Sequence, residues 1–460
     1  MLVLARMPET DDLYPSTGPD LALKVHIRIV YSPPTLGVSF ARKCKPCSYS
    51  TPNNAPMTSI GVESSIKIPS SLDASGRVES LDLLRGIVMV LMALDHTRDF
   101  FTNLSFDPEN LTRTTLALFL TRWITHFCAP LFFFLAGTGA YYFGRRHSAE
   151  DLSRFLLTRG IWLIVVEFTI VGTAWTFKFP WGFFGVIWAL GASMVLLSVL
   201  VKLPVRWLTV LSLAVFLLHD LTDTFRPVGP WSWIWNILHV KGSISIAGSH
   251  NFVLFPLVPW FAVMALGYCF GVLFQSADRR RWLLSLGIAM TLAFLILRGT
   301  NLYGNPAALP GGVTPGDFHL QNSAATTVIL FLDTEKYPPS LQFLLMTLGP
   351  SFLLLFLFDR FGIPRLARPL LVFGRVPFFF YVLHLYLIHL LAVGTAMAFG
   401  QPYAWLLHGG FWFFDLPEGY GHGLPFVYVE WLLVLVILYF PCRWFMRYKR
   451  ENPAEWLKYL

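Results

Sequence analysis

Residues 81–101 read LDLLRGIVMVLMALDHTRDFF, and the placement of this stretch decides the fold. Gly86 to Leu94 is apolar enough to lie in a membrane, yet Asp82 and Arg85 stand before it and Asp95, His96, Arg98 and Asp99 follow it. Arg85 and His96 are eleven residues apart. At about 100° per residue this returns them to nearly one helix face, roughly 16 Å apart along the axis. One face of one span therefore carries a cation near one end and a base near the other. His96 and Asp99 are three apart and Asp95 and Asp99 four apart, so a carboxylate is placed to orient or charge the imidazole. Such a pair suits general-base chemistry, because imidazole titrates near neutrality and a carboxylate fixes its tautomer. The blander reading makes Arg85 a membrane-edge anchor paired with Asp82, and His96 an interfacial histidine satisfied by water. Ionisable residues inside spans are costly and mark functional sites, which favours a site role for His96.

The rest of the chain agrees with a membrane setting. Of 460 residues, 55% are hydrophobic, 16% aromatic and 13% charged, against about 25% charged in an ordinary soluble domain. The expectation is an all-α, polytopic transmembrane bundle. Ten apolar runs approach the length a bilayer needs: 86–101, 116–143, 155–175, 181–201, 204–219, 252–274, 282–297, 341–358, 377–399 and 424–439. An eleventh short or re-entrant helix is left open at 244–258 or near Val328. Lys and Arg concentrate in alternate connections, among them Arg145, Arg146, Arg154 and Arg159, then Arg279, Arg280 and Arg281, then Arg360, Arg365, Arg368 and Arg375. That bias places both termini in the cytoplasm. It also accounts for the net charge of +8 without any nucleic acid.

Residues 1–76 are rich in Pro, Ser, Thr and basic residues without an apolar period; they read as a disordered extension or a misassigned start, with Met57 an alternative initiator. The membrane domain is expected at 77–447 and a cytoplasmic tail at 448–460. Cys44 and Cys47 have CxxC spacing but no second pair follows. Cys128, Cys269 and Cys442 sit in or beside apolar segments, so no disulfide framework is expected.

Two further spans carry polar residues. In TRWITHFCAPLFFFLAGTGAYY, residues 121–142, Arg122 and His126 fall near the end that His96 occupies. Pro130 frees a backbone carbonyl one turn earlier, tolerable where a helix lines a cavity. Gly137 and Gly139 leave room for close approach, and a pocket shared by His96 and His126 is geometrically reasonable. The ninth span places Tyr381 and His384 three apart, fit to line a cavity. His389 points to another face and reads equally well as a helix-packing hydrogen bonder. The expected outer loops carry Trp231, Trp233 and Trp235, which suit a membrane interface better than a sugar platform. HExxH, paired CxxC, GxGxxG and P-loop patterns are absent, so neither a catalytic metal nor nucleotide hydrolysis is expected.

RVESLDLLRGIVMVLMALDHTRDFF, residues 77–101, resembles the first-helix signature of the heparan-α-glucosaminide N-acetyltransferase catalytic family, also found in bacterial members. The matching positions are Arg77, Leu81, Asp82, Arg85, Gly86 and His96. CAPLFFFLAGTGAYY, KYPPSLQFLLMTLGP and GRVPFFFYVLHLYLIH, beginning at Cys128, Lys336 and Gly374, continue the resemblance. It implies transfer of an acetyl group from cytoplasmic acetyl-CoA through the membrane to a sugar amine or hydroxyl. The implied location is a bacterial cytoplasmic membrane.

By analogy with related bacterial O-acyltransferases, Arg85 and His96 are central. Heparan-acetylating members have asparagine at the position of His96 and their active histidine in the following loop. Residues 97–116 here hold no histidine, so either His96 or His126 takes that role, and heparan is not carried over. The implied mechanism has Arg85, Arg145, Arg146 and Arg375 holding acyl-CoA phosphates, His96 acting as base with Asp95 or Asp99 orienting it, and Arg122, Tyr381 and His384 lining the cavity. The rival class is a proton-coupled secondary transporter of a small anion. Acyl group, acceptor and oligomeric state, a homodimer included, are left open.

Overall fold

The computed structural model describes residues 78–179, 182–246, 248–305, 316–409, 416–452 and 454–458. The N-terminal extension and its Cys44–Cys47 pair lie outside the described residues. The fold opens with α1 (Glu79–Phe101), α2 (Leu116–Thr125) and α3 (Cys128–Gly144). Next, α4 (Ala149–Val166) runs through a π-helical turn, Glu167–Val171, into α5 (Gly172–Thr176). After β1 (Phe183–Phe184) come α6 (Val186–Leu200), α7 (Val205–Leu218), α8 (Ser232–Leu238), β2 (Gly242–Ile246) and β3 (Ser249–Val253). Then follow α9 (Leu257–Gln275), α10 (Arg279–Thr300), α11 (Ala324–Leu332) and α12 (Leu341–Phe361). The chain closes with α13 (Leu370–Arg375), α14 (Pro377–Ala398), α15 (Ala404–Leu407) and α16 (Leu424–Glu451).

Among the described residues, eight helical segments are long and apolar enough to cross a membrane. The other two runs named from sequence are helical as well. One is α1, whose ends carry Glu79, Asp82, Arg85, Asp95, Arg98 and Asp99. The other is α6, whose 15 residues reach about 22 Å against a hydrocarbon core of about 30 Å. Large apolar side chains on α7, α10 and α16, such as Trp207, Val210, Leu292, Ile296, Val436 and Phe440, are exposed. Such surfaces match lipid tails rather than water.

The purely helical expectation needs one correction. A small sheet of order β1-β3-β2 pairs β2 antiparallel and β1 parallel to β3, with Gly242 opposite Val253 and Phe183 opposite Phe252. The 244–258 region thus holds the end of β2, all of β3 and the start of α9 rather than an extra helix. In β2 only Ile244 is buried, between exposed Ser243 and Ser245, which is the two-residue period of a strand. Gly248, at φ 79°, gives the tight connection its left-handed residue. The region near Val328 does form a short helix, α11.

The interior is organised around α1. A Cβ on Gly86 would overlap the Leu370 carbonyl, and one on Gly374 the Asp82 carbonyl, so α1 and α13 touch backbone to backbone. Ion pairs fasten this contact. Arg85 Nη1 donates to Asp82 Oδ1 at 3.1 Å and to the Gly374 carbonyl at 3.2 Å, while Arg375 reaches Glu79 at 3.3 Å. Pro130 has no N–H for the His126 carbonyl, and the helix breaks there between α2 and α3. Gly137 packs against α9 at Met264. Cys128, Cys269 and Cys442 are buried free thiols.

Candidate functional site: two cavities in tandem

Two cavities lie along α1. The first, about 350 Å³, surrounds its C-terminal end and is lined by His96, Asp95, Arg122, Trp175, Asp333 and Lys336 among others. The second, about 340 Å³, lies near its N-terminal end. Its polar wall carries Arg85, Arg159, Arg375 and Lys449, and its apolar wall includes Met89, Leu135, Phe155 and Met194. Phe132 of α3 and Tyr381 of α14 line both. Arg85 and His96, on one face of α1, thus open into different cavities.

His96 is held by α14. Its Nδ1 lies 2.7 Å from His384 Nε2, and the rings stack with centroids 4.9 Å apart. His384 Nδ1 faces the Phe380 carbonyl at 3.1 Å. A carbonyl can only accept, so His384 Nδ1 carries its proton, His384 Nε2 accepts, and His96 Nδ1 donates. A neutral His96 then keeps its lone pair on Nε2, which has no protein partner among the described residues. The Trp175 ring edge, centroid 4.8 Å away, limits the imidazole on another side.

The carboxylates do not orient this imidazole as expected. Asp95 pairs with Arg122 at 2.8 Å and with Arg98 at 2.8 Å. Asp99 pairs with Arg98 at 2.6 Å. Arg98, paired with both acids, and Arg122, paired with Asp95, outcompete a neutral ring for them, and His384 takes the orienting place. His126 does not share the His96 cavity. It is fully buried, with Nε2 2.6 Å from Glu109 Oε1. Arg122 links the two halves of the network, bonding Asp95 and also Glu109 at 3.0 Å. Of the four cations expected around acyl-CoA, Arg85 and Arg375 line the second cavity. Arg145 and Arg146 are exposed just past the end of α3 and do not line it. His389 has Nδ1 2.8 Å from the Ala174 carbonyl and Nε2 3.1 Å from the Leu406 carbonyl, a neutral ring donating to one of them, and it packs helices. Trp231, Trp233 and Trp235 line neither cavity.

Several wall residues are not among the site candidates read from the sequence. Glu109 comes from the α1–α2 loop, Glu167 from the π-turn, and Asp333, Glu335 and Lys336 from the segment after α11. Burial raises the carboxyl of Glu109, but Arg122 and His126 outweigh it and hold the group well below the carboxylate range. Asp333 goes the other way: burial, and next Glu109, push it to about 8 against the opposing pull of Arg298. Burial likewise raises Glu335, against Lys241 at 3.3 Å. Lys336 is buried at the cavity wall with no carboxylate in ion-pair range among the described residues. Arg159 and Lys449 replace Arg145 and Arg146 at the second cavity. Arg159 could have been found by its helical spacing from Leu156 and Leu163, both on the buried side of α4. Among the described residues no group of His, Cys, Asp and Glu is arranged to hold a metal.

No curated protein matches the chain. A family model described as "Heparan-alpha-glucosaminide N-acetyltransferase, catalytic" matches residues 77–302. The matched stretch contains Arg85, Asp95, His96, Arg122, Arg159 and Trp175, while from outside it Lys336 lines the first cavity, Lys449 the second and Tyr381 both, and His384, which lines neither, holds His96. Residues 77–302 therefore belong to the heparan-alpha-glucosaminide N-acetyltransferase catalytic family, and the chain is an integral membrane protein of acyltransferase type.

Proposed function

We propose that the protein is a transmembrane acyltransferase. It would take an acetyl or other acyl group from cytoplasmic acyl-CoA and pass it to a sugar amine or hydroxyl on the outer face. The observation that carries this reading is the pair of cavities: one rimmed by cations, one holding an oriented imidazole, sharing Tyr381 and Phe132. Arg85, Arg159, Arg375 and Lys449 supply charge complementarity for the phosphates of CoA. The apolar walls at Met89 and Leu135 suit the neutral arm behind them. The bias of Lys and Arg toward alternate connections supports reading that cavity as the one open to the cytoplasm.

At the outer cavity, His96 Nε2 takes the proton of the attacking amine or hydroxyl as its nitrogen or oxygen bonds to the thioester carbonyl carbon. The carbon–sulfur bond then breaks, and the CoA sulfur leaves with the proton that His96 held. His384 is a positioning residue, fixing the tautomer that leaves Nε2 basic. Asp95, Arg98, Arg122 and Glu109 form a paired scaffold around the acceptor rather than a proton path, which weighs against proton-coupled anion transport.

Calorimetric titration of the detergent-purified protein with acetyl-CoA, and with CoA, tests the reading without knowledge of the acceptor. Saturable binding is expected, weakened by Arg85→Ala and by Arg159→Ala and kept by His96→Ala. Arg159→Ala serves as the control, because Arg85 also fastens α1 to α13. A folded wild-type protein that binds no acyl-CoA contradicts the proposal and moves transport ahead.

A further inference from the structure

We propose that Tyr381 forms the partition between the two cavities and donates the hydrogen bond that the reacting thioester carbonyl needs. The inference rests on the acyltransferase reading above. A donor entering from the Arg85 cavity and an acceptor entering from the His96 cavity meet at their common border. The two side chains that line both cavities are Phe132 and Tyr381, and of these only Tyr381 can form a side-chain hydrogen bond.

The phenol is fixed in place. Tyr381 is 5% exposed, its ring lies edge-on to His96 and to His384 with centroids 6.5 and 5.5 Å away, and it stacks on Phe378. Tyr381 and His384, one helical turn apart on α14, therefore present to one point both a hydroxyl and the imidazole that holds His96. The Glu167 carboxylate on the same cavity wall acts on the hydroxyl through space, and the Trp175 side chain hydrogen-bonds it. An indole N–H can only donate, so it leaves the phenolic proton available. Among the described residues no group accepts that proton.

As the acceptor atom bonds to the carbonyl carbon, its proton passes to His96 Nε2 and the carbonyl π-electron pair moves onto oxygen. The Tyr381 hydroxyl stabilises that charge and keeps its own proton. The pair returns, the carbon–sulfur bond breaks, and the sulfur leaves with the proton from His96. A fixed donor in a site shielded from bulk water is a strong form of such stabilisation, because little has to reorganise as charge develops.

The test uses the full chain in detergent, acetyl-CoA as donor and glucosamine as the acceptor probe, with CoA release and acetyl-CoA binding both measured. Tyr381→Phe keeps the ring and removes the hydroxyl. Unchanged acetyl-CoA affinity and KM are expected, with kcat lowered about 10²-fold, the effect of removing one oxyanion donor. Tyr381→Ala removes the partition as well, and is expected to add glucosamine-independent CoA release by water. Wild-type kcat in Tyr381→Phe overturns the donor role, as does a variant that fails to bind acetyl-CoA. Tyr381→Ala without extra hydrolysis overturns the partition. A wild type that binds no acetyl-CoA, or releases no CoA with glucosamine, instead defeats the acyltransferase reading itself and takes this role with it.

Discussion

The two cavities that meet α1 are nearly equal in size, about 350 and 340 Å³, and opposite in construction. Around His96 most charges are already matched: Asp95 lies between Arg98 and Arg122, Glu109 between Arg122 and His126, and Glu335 against Lys241. Such a network changes little when a neutral acceptor arrives, which is what a preorganised reaction site requires. Around Arg85 the cations stand beside apolar walls, with Arg85 paired to Asp82 and Arg375 to Glu79, and four cations against two acids suit a ligand with an anionic head and a slim neutral arm. On the proposed reading, the first cavity serves chemistry and the second holds the donor.

The largest expected effect separates those two tasks. His96→Ala should lower acyl transfer by about 10²- to 10⁴-fold, the usual contribution of a general base, while acetyl-CoA affinity stays at the wild-type level. Equal losses in rate and affinity would break the division between the cavities. Two glycines sharpen it further. A Cβ at Gly86 runs into the Leu370 carbonyl, whereas one at Gly139, on the wall of the Arg85 cavity, meets nothing within 4 Å. Gly86→Leu should therefore destabilise the fold by more than about 3 kcal/mol, beyond ordinary overpacking. Gly139→Leu should leave the melting temperature unchanged and block acetyl-CoA binding. Thermal unfolding and calorimetry on both variants decide the matter; loss of fold in Gly139→Leu would contradict the open wall.

The smallest effect concerns Asp333, whose carboxyl is pushed up to about 8, mainly by burial and then by Glu109. A folded-state value above the unfolded one means that the protonated form favours the fold. This contribution is complete below the unfolded value of about 4 and is lost as pH rises through about 8. Asp333→Asn should remove that alkaline decline in the melting temperature between pH 6 and about 9. An unaltered decline would assign it to other groups.

The sequence foretold what depends on local pattern. Apolar run length found the helices, and the eleven-residue spacing placed Arg85 and His96 on one face. The pairings that sequence reading missed are made by tertiary contact alone. His384 reaches His96 from 288 residues away. Asp95 and Asp99 look like partners of His96 by spacing, but two arginines compete for them, one of them on α2. Arg145 and Arg146 look like phosphate ligands because they are paired and basic, yet they lie beyond the helix end. Arg159 and Lys449 reach the cavity because they lie on inward helix faces. The small sheet was hidden by short strands, one of only two residues.

Sidedness tests the central claim most directly. The purified protein would be reconstituted in one orientation in sealed vesicles, with radiolabelled acetyl-CoA on the face bearing the Arg85 cavity and glucosamine only on the opposite face. The account predicts labelled N-acetylglucosamine on the glucosamine side and free CoA on the other, with both absent in His96→Ala. Product formed only when both substrates share one compartment would contradict a path through the two cavities.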